Sequence, residues 1–106
     1  MFTGQENHSI SLEDASELTK NYRHTLMKVF GGVKGEYFGS DAIQSVLDQT
    51  DVVGIRIYYG LSDEVVPKPR LVIVGVNADG DDVIGEIMEH GHTCPPKCGV
   101  ANLLNS

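Results

Sequence analysis

Leu71 to Val76 reads Leu-Val-Ile-Val-Gly-Val, a run with no polar side chain and mostly β-branched residues. It is too short for a buried helix, and branching at Cβ suits a pleated backbone, so it predicts a strand covered on both faces. Such a strand belongs in the middle of a sheet. The rest of the chain must then supply a neighbour on each side and apolar cover above and below.

Upstream, Val53, Ile55, Ile57 and Tyr59 alternate with Gly54, Arg56 and Tyr58. Period two predicts a strand with its odd residues in the core and Arg56 beside Tyr58 on the other face. The connection from Leu61 to Pro69 holds Pro67 and Pro69, which oppose ladder pairing, so a loop or irregular edge is expected there. Downstream, Asn77-Ala-Asp-Gly80 has turn chemistry, and a third strand from about Asp82 to Met88 would complete an antiparallel meander. Val83, Ile84, Ile87 and Met88 also fit a helical face; Gly85 opposes a helix interior, and the strand is favoured.

The cover comes from the N-terminal half. Ser11 offers an N-cap oxygen, with Asp14 three residues on and Ile10 placed as a hydrophobic staple. Leu12, Ala15, Leu18, Tyr22, Leu26, Val29 and Phe30 then form one stripe of an amphipathic helix running to about Phe30, which should face the core. Lys20, Arg23, His24 and Lys28 on the opposite side read as a solvated surface. Gly31, Gly32, Gly35 and Gly39 break the helix; they follow a helix and not a strand, so they supply turn conformations and not a dinucleotide loop. Tyr37 and Phe38 fold back on the core. Ser40 caps a second, short helix ending near Thr50, with Ile43, Val46 and Leu47 on its buried side.

These elements predict a single α+β domain over residues 1–106. Two N-terminal helices pack on one face of a small antiparallel β-sheet of about three strands, followed by an irregular Cys/Pro C-terminal segment at 90–106. Residues 1–9 are expected to be flexible. A sheet this small leaves edges, which predicts a homodimer.

Charge narrows the partners. The chain carries 15 acidic and 8 basic side chains, a formal net charge of -7, which opposes attraction to phosphate backbones and argues against a nucleic-acid partner. No apolar run approaches the roughly twenty residues of a membrane span, and the first residues lack a signal-peptide pattern, so no membrane partner and a cytoplasmic location are expected. The two cysteines, Cys94 and Cys98, should then be reduced unless they bind metal or perform redox chemistry.

Those cysteines lie in the segment richest in chemistry. His90, His92, Cys94 and Cys98 place two imidazoles and two thiols within one short stretch, all ligand types suited to zinc. Structural zinc sites usually draw ligand pairs from separate turns, so this spacing is unusual. The alternative is a rigid clasp. A polyproline path through Pro95 and Pro96 would hold the two Cα atoms roughly 12 Å apart and forbid a disulfide. A turn centred on Pro96 and Lys97 would bring the thiols within bridging or chelating reach, with Lys97 favouring thiolate. Asn77, Asp79, Asp81 and Asp82 resemble the start of a calcium loop but lack its glycine and terminal glutamate. Arg56 beside Tyr58 would suit an anion, or a cross-strand carboxylate. No serine elbow, helical His-Glu-x-x-His pair or assignable carboxylate pair gives positive support for catalysis.

Gly54-Ile-Arg-Ile-Tyr-Tyr-Gly60, Leu71-Val-Ile-Val-Gly-Val76 and Cys94-Pro-Pro-Lys-Cys-Gly99 followed by Asn102 and Asn105 resemble a group of short, uncharacterised bacterial proteins. The resemblance covers roughly Tyr37 to Ser106 and implies that the strands and the cysteine tail form one unit. The functional expectation is a non-enzymatic binding or interaction domain whose partner is another protein or a second copy. A metal-binding protein using the His90 to Cys98 loop and a thiol redox protein are the alternatives.

Overall fold

The computed structural model describes residues 1–105. Along the chain lie α1 (Leu12–Thr25), β1 (Gly35–Tyr37), α2 (Ser40–Leu47), β2 (Val52–Leu61), β3 (Pro69–Asn77), β4 (Asp82–Met88) and β5 (His92–Cys94). The chain is α+β, with one sheet in the order β2-β3-β4 and a second, two-stranded sheet of β1 and β5. It divides into two compact, interleaved units. Unit 1 comprises Met1–Asn7, Phe38–Gly60 and Arg70–Gly91; unit 2 comprises His8–Tyr37, Leu61–Pro69 and His92–Ser106.

In unit 1, β3 is the central strand, and Ile73, Val74 and Val76 are buried, as its unbroken apolar run requires. Val46 of α2 is fully buried against Ile73 and Met88, with Phe38 and Ile43 at the margin. Helix α2 begins one residue earlier than a Ser40 cap implies. Gly39 is the N-cap in extended conformation and contributes no side-chain hydrogen bond, which leaves Ser40 as the first helical residue. Leu47 stays 37% exposed.

The segment from Asp82 to Met88 is a strand, and its glycine has a specific use. Ile73 and Val74 pair with Met88 and Ile87, but Gly75 pairs with Val83, so Ile84, Gly85 and Glu86 bulge from the ladder. A bulge orphans backbone donors. The Gln49 carboxamide meets one of them, its Oε1 accepting the Glu86 N–H at 2.8 Å while its Nε2 donates to the Val46 carbonyl at 2.9 Å. A Cβ at Gly85 would stand 3.0 Å from that Oε1, so a larger residue there would press on the carboxamide that holds the bulge. The residues before Asn7 are engaged as well: the Phe2 N–H donates to the Ala78 carbonyl at 2.9 Å in the turn between β3 and β4.

Unit 2 departs from the expected packing. Helix α1 starts as its cap predicts, Ser11 Oγ accepting the Asp14 N–H at 3.0 Å. It then ends at the Leu26 C-cap and not near Phe30, giving way to turns in which Gly31 and Gly32 take positive φ. The leucine stripe does not face a core: Leu12, Leu18, Leu26 and Val29 are 48–64% exposed. The buried residue of the helix is Ser16, whose hydroxyl donates to the Leu103 carbonyl at 3.2 Å. Arg23 Nη1 donates to the Leu104 carbonyl at 2.7 Å and the Tyr22 hydroxyl to the Val33 carbonyl at 2.6 Å. Thus α1 groups with β1, β5 and the C-terminal segment and not, as expected, with the sheet of β2, β3 and β4. Spacing located the apolar side of the helix, but backbone carbonyls of the tail occupy the ground beside its buried serine.

Candidate functional site

The segment richest in chemistry is organised by the small sheet of unit 2. Strands β1 and β5 pair antiparallel, with Gly35 opposite Cys94, Glu36 opposite Thr93 and Tyr37 opposite His92. Proline biases the residue before it to extended backbone, which suits Cys94 at the end of β5. Beyond it the chain turns sharply. The Lys97 N–H donates to the Thr93 carbonyl at 2.9 Å, closing a loop over Pro95 and Pro96, whose preceding peptide bonds are both cis. The open polyproline path is therefore not taken.

Cys94 and Cys98 are joined in a disulfide, their Cα atoms 4.6 Å apart, inside the usual range of about 4.4–6.8 Å. The sequence leaves the pair open between free, bridged and metal-bound, and in the structure it is bridged. The loop is anchored on either side. The Lys34 N–H donates to the Cys94 carbonyl at 2.7 Å, and Asn105 Nδ2 donates to the carbonyls of Cys98 and Val100, each at 3.2 Å. Lys34 Nζ in turn donates to the Asn105 carbonyl. Asn102 Oδ1 accepts the Leu104 N–H, and Asn105 Oδ1 accepts the Asn102 N–H. The two asparagines of the tail thus hold its turn and its attachment to the disulfide loop.

Tyr37, His92, Lys97 and Gly99 line an open recess of about 410 Å³. The cross-strand pair places the rings of Tyr37 and His92 with centroids 5.9 Å apart and planes inclined by 30°, a separation usual for interacting rings. Lys97, within the disulfide loop, lines the same recess. Gly99 adopts φ of 74°, with open space where a Cβ would lie, so it is the backbone conformation that selects glycine there.

The four candidate ligands do not converge. Among the described residues no group of three or more His, Cys, Asp or Glu side chains is placed to hold a metal ion. Both sulfurs are bonded to each other, and His92 faces Tyr37. His90 lies in unit 1, 94% exposed, with Nδ1 3.2 Å from Glu89 Oε2. The backbone N–H of His90 and the guanidinium of Arg70, 2.8 Å away, hold the Glu89 carboxyl below its ordinary pKa.

Arg56 and Tyr58 share a face of β2, as alternation predicts, and take the carboxylate partner. Arg56 Nη1 lies 2.6 Å from Asp82 Oδ1, and the Tyr58 hydroxyl donates to Asp82 Oδ2 at 2.5 Å. These contacts, led by the tyrosine hydrogen bond, lower the Asp82 pKa.

The recess was not legible as a site. Its Tyr37 lies far from His92 in sequence, and the three-residue strands that pair them have no periodic signal. Only the extended bias before Pro95 hinted at β5. No family model matches the chain, and no curated protein and no solved structure is significantly similar to it.

Proposed function

We propose that this chain is a small non-enzymatic binding domain that takes its ligand at the recess of Tyr37, His92, Lys97 and Gly99. The carrying observation is an aromatic pair and a lysine lining one recess beside a loop closed by a disulfide. Two rings offer flat apolar surface and the lysine offers a positive charge, so the fitting ligand carries a carboxylate beside a planar apolar group. The disulfide and the Asn105 hydrogen bonds fix the loop in advance, which lowers the ordering cost of binding. The resemblance to short bacterial proteins and a cytoplasmic location belong to the same proposal.

Benzoate tests it. In an NMR titration of the full chain, benzoate should shift the amides of Tyr37, His92, Lys97 and Gly99, and Lys97→Ala should weaken that response several-fold. Benzoate shifts confined to other residues, or unchanged in Lys97→Ala, would remove the recess as the binding site.

The closed Cys94–Cys98 pair favours thiol-disulfide exchange as a second reading. An external dithiol would attack one sulfur, and its second thiol would resolve the mixed disulfide, leaving two protein thiols and an oxidised dithiol. Dithiothreitol should then open the pair faster than it reduces oxidised glutathione. An equal or slower rate would make the bond a structural clasp.

A further inference from the structure

In the sheet of unit 1 the strands are ordered β2-β3-β4, so β2 and β4 are both edges, and they are built differently. The β4 edge is broken by the bulge at Ile84 to Glu86, where the Glu86 N–H is already taken by Gln49. Bulges and occupied donors protect an edge from further pairing. No such device interrupts β2. It runs for ten residues without a proline, and its one charged side chain, Arg56, is bound to Asp82 of its own unit.

The β2 face expected to lie in the core is substantially exposed: Ile55 by 40%, Ile57 by 44% and Tyr59 by 93%. A Cβ built at Gly54 meets nothing within 4 Å. The N-terminal segment approaches the strand at Val53, where a Cβ on Gly4 would stand 2.5 Å from the carbonyl oxygen. That approach is upstream of the stretch from Gly54 to Gly60.

In this stretch, Gly-Ile-Arg-Ile-Tyr-Tyr-Gly, glycines stand three residues either side of Ile57 and the apolar Ile55 and Tyr59 two residues either side. We infer that β2 pairs antiparallel with β2 of a second copy about a two-fold axis at Ile57, joining two three-stranded sheets into one of six strands. In that register Ile55 faces Tyr59 and Ile57 faces itself, an unbroken apolar row of the kind that stabilises paired strands, while Gly54 faces Gly60 on the opposite side of the sheet. Arg56 faces Tyr58, a cation beside an aromatic ring. Charge selects among the alternatives: an axis at Arg56 would set two like charges directly opposite, and an axis between residues would place the apolar face of one copy on the Arg-Tyr face of the other. An axis at Tyr58 avoids both faults but shortens the paired length. The segment therefore complements itself better than it would complement an unrelated strand, and an isologous dimer is the assembly that uses this.

Sedimentation of the full chain across a concentration series should show the mass rising from 11.5 kDa to twice that value. Ile57→Lys places two ammonium groups face to face on the axis and should return the mass to that of one chain. Tyr59→Lys sets an ammonium group opposite Ile55 of the second copy and should also weaken the dimer, at a side chain exposed enough to leave the fold intact, which circular dichroism of both variants would verify. Register is read by cysteine cross-linking without reductant. Ile57→Cys should cross-link to itself, and Ile55→Cys should cross-link to Tyr59→Cys in a mixture but not to itself. A chain that sediments as a monomer throughout would overturn the dimer and leave the edge to a strand of a different protein. A dimer that survives both lysine variants, or cross-links in another register, would overturn the β2 pairing.

Discussion

In unit 1 the buried side chains are Val46, Ile73, Val74, Val76 and Met88, whereas among the described residues of unit 2 only Val33 and Ser16 are buried. Unit 1 is assembled as a sheet and helix usually are, by removing apolar surface from water. Unit 2 is fastened instead by named bonds to backbone carbonyls, from Ser16, Tyr22, Arg23 and Asn105, and by the Cys94–Cys98 bridge. The two units therefore tolerate change differently. A core resists any change of volume or polarity, while fastenings fail singly and leave their neighbours in place.

The sharpest break of the comparison is Val46→Asp. A carboxylate at a fully buried position with no partner should cost about 4 kcal/mol or more. Hydrogen exchange would show Ile73, Val74 and Met88 losing protection together; full protection at those amides would mean that α2 is not what holds the sheet. Next comes the double variant Cys94→Ser, Cys98→Ser. Closing so short a loop restricts the unfolded chain by about 2 kcal/mol, so its loss should loosen Lys34, Thr93 and Lys97 while β3 keeps its protection. Equal losses in β3 would show that the disulfide stabilises both units and that the division is not energetic.

The sequence displays unit 1 more openly than unit 2 for the same reason. An apolar core marks the residues that build it, so β3 and α2 are readable from Leu71 to Val76 and Ile43 to Leu47, and Asn77 to Gly80 from its turn chemistry, whereas Asp82 to Met88 also fits a helical face and only Gly85 favours the strand. Fastenings leave no such mark. Nothing in Ser16, Arg23 or Asn105 announces a partner carbonyl far along the chain, and β1 and β5 are too short to show alternation. The stripe on α1 misled because spacing reports which side of a helix is apolar, not whether anything covers it. The same holds for Ile55, Ile57 and Tyr59, whose alternation is correct and whose burial is not. At the candidate site the Cys-Pro-Pro-Lys-Cys segment stood out by composition, but its two outcomes, open or closed, depended on a turn that composition leaves open.

Unit 1 carries a polar fastening of its own, and breaking it should have the smallest effect. Asp82 receives the Tyr58 hydroxyl and the Arg56 guanidinium, and its pKa is lowered, with the tyrosine hydrogen bond the largest cause. A carboxyl whose folded pKa lies below its unfolded value of about 3.9 contributes stability that is fully present above that value and is lost as pH falls through the folded pKa. Tyr58→Phe removes the largest cause while keeping the ring. The Asp82 pKa should therefore rise toward its ordinary value, observable by NMR titration of the side-chain carboxyl. Below the folded pKa the carboxyl is protonated in both states, so acid stability should change little more than the lost neutral hydrogen bond requires. At neutral pH the variant should be slightly less stable than the parent, because Arg56 still holds the carboxylate at a solvent-facing position where such pairs contribute little. An Asp82 pKa unmoved by Tyr58→Phe would assign the anchoring to Arg56 alone. The face of β2 opposite Ile55, Ile57 and Tyr59 would then depend on Arg56, through Asp82 and the Gly80 carbonyl it also donates to at 3.2 Å.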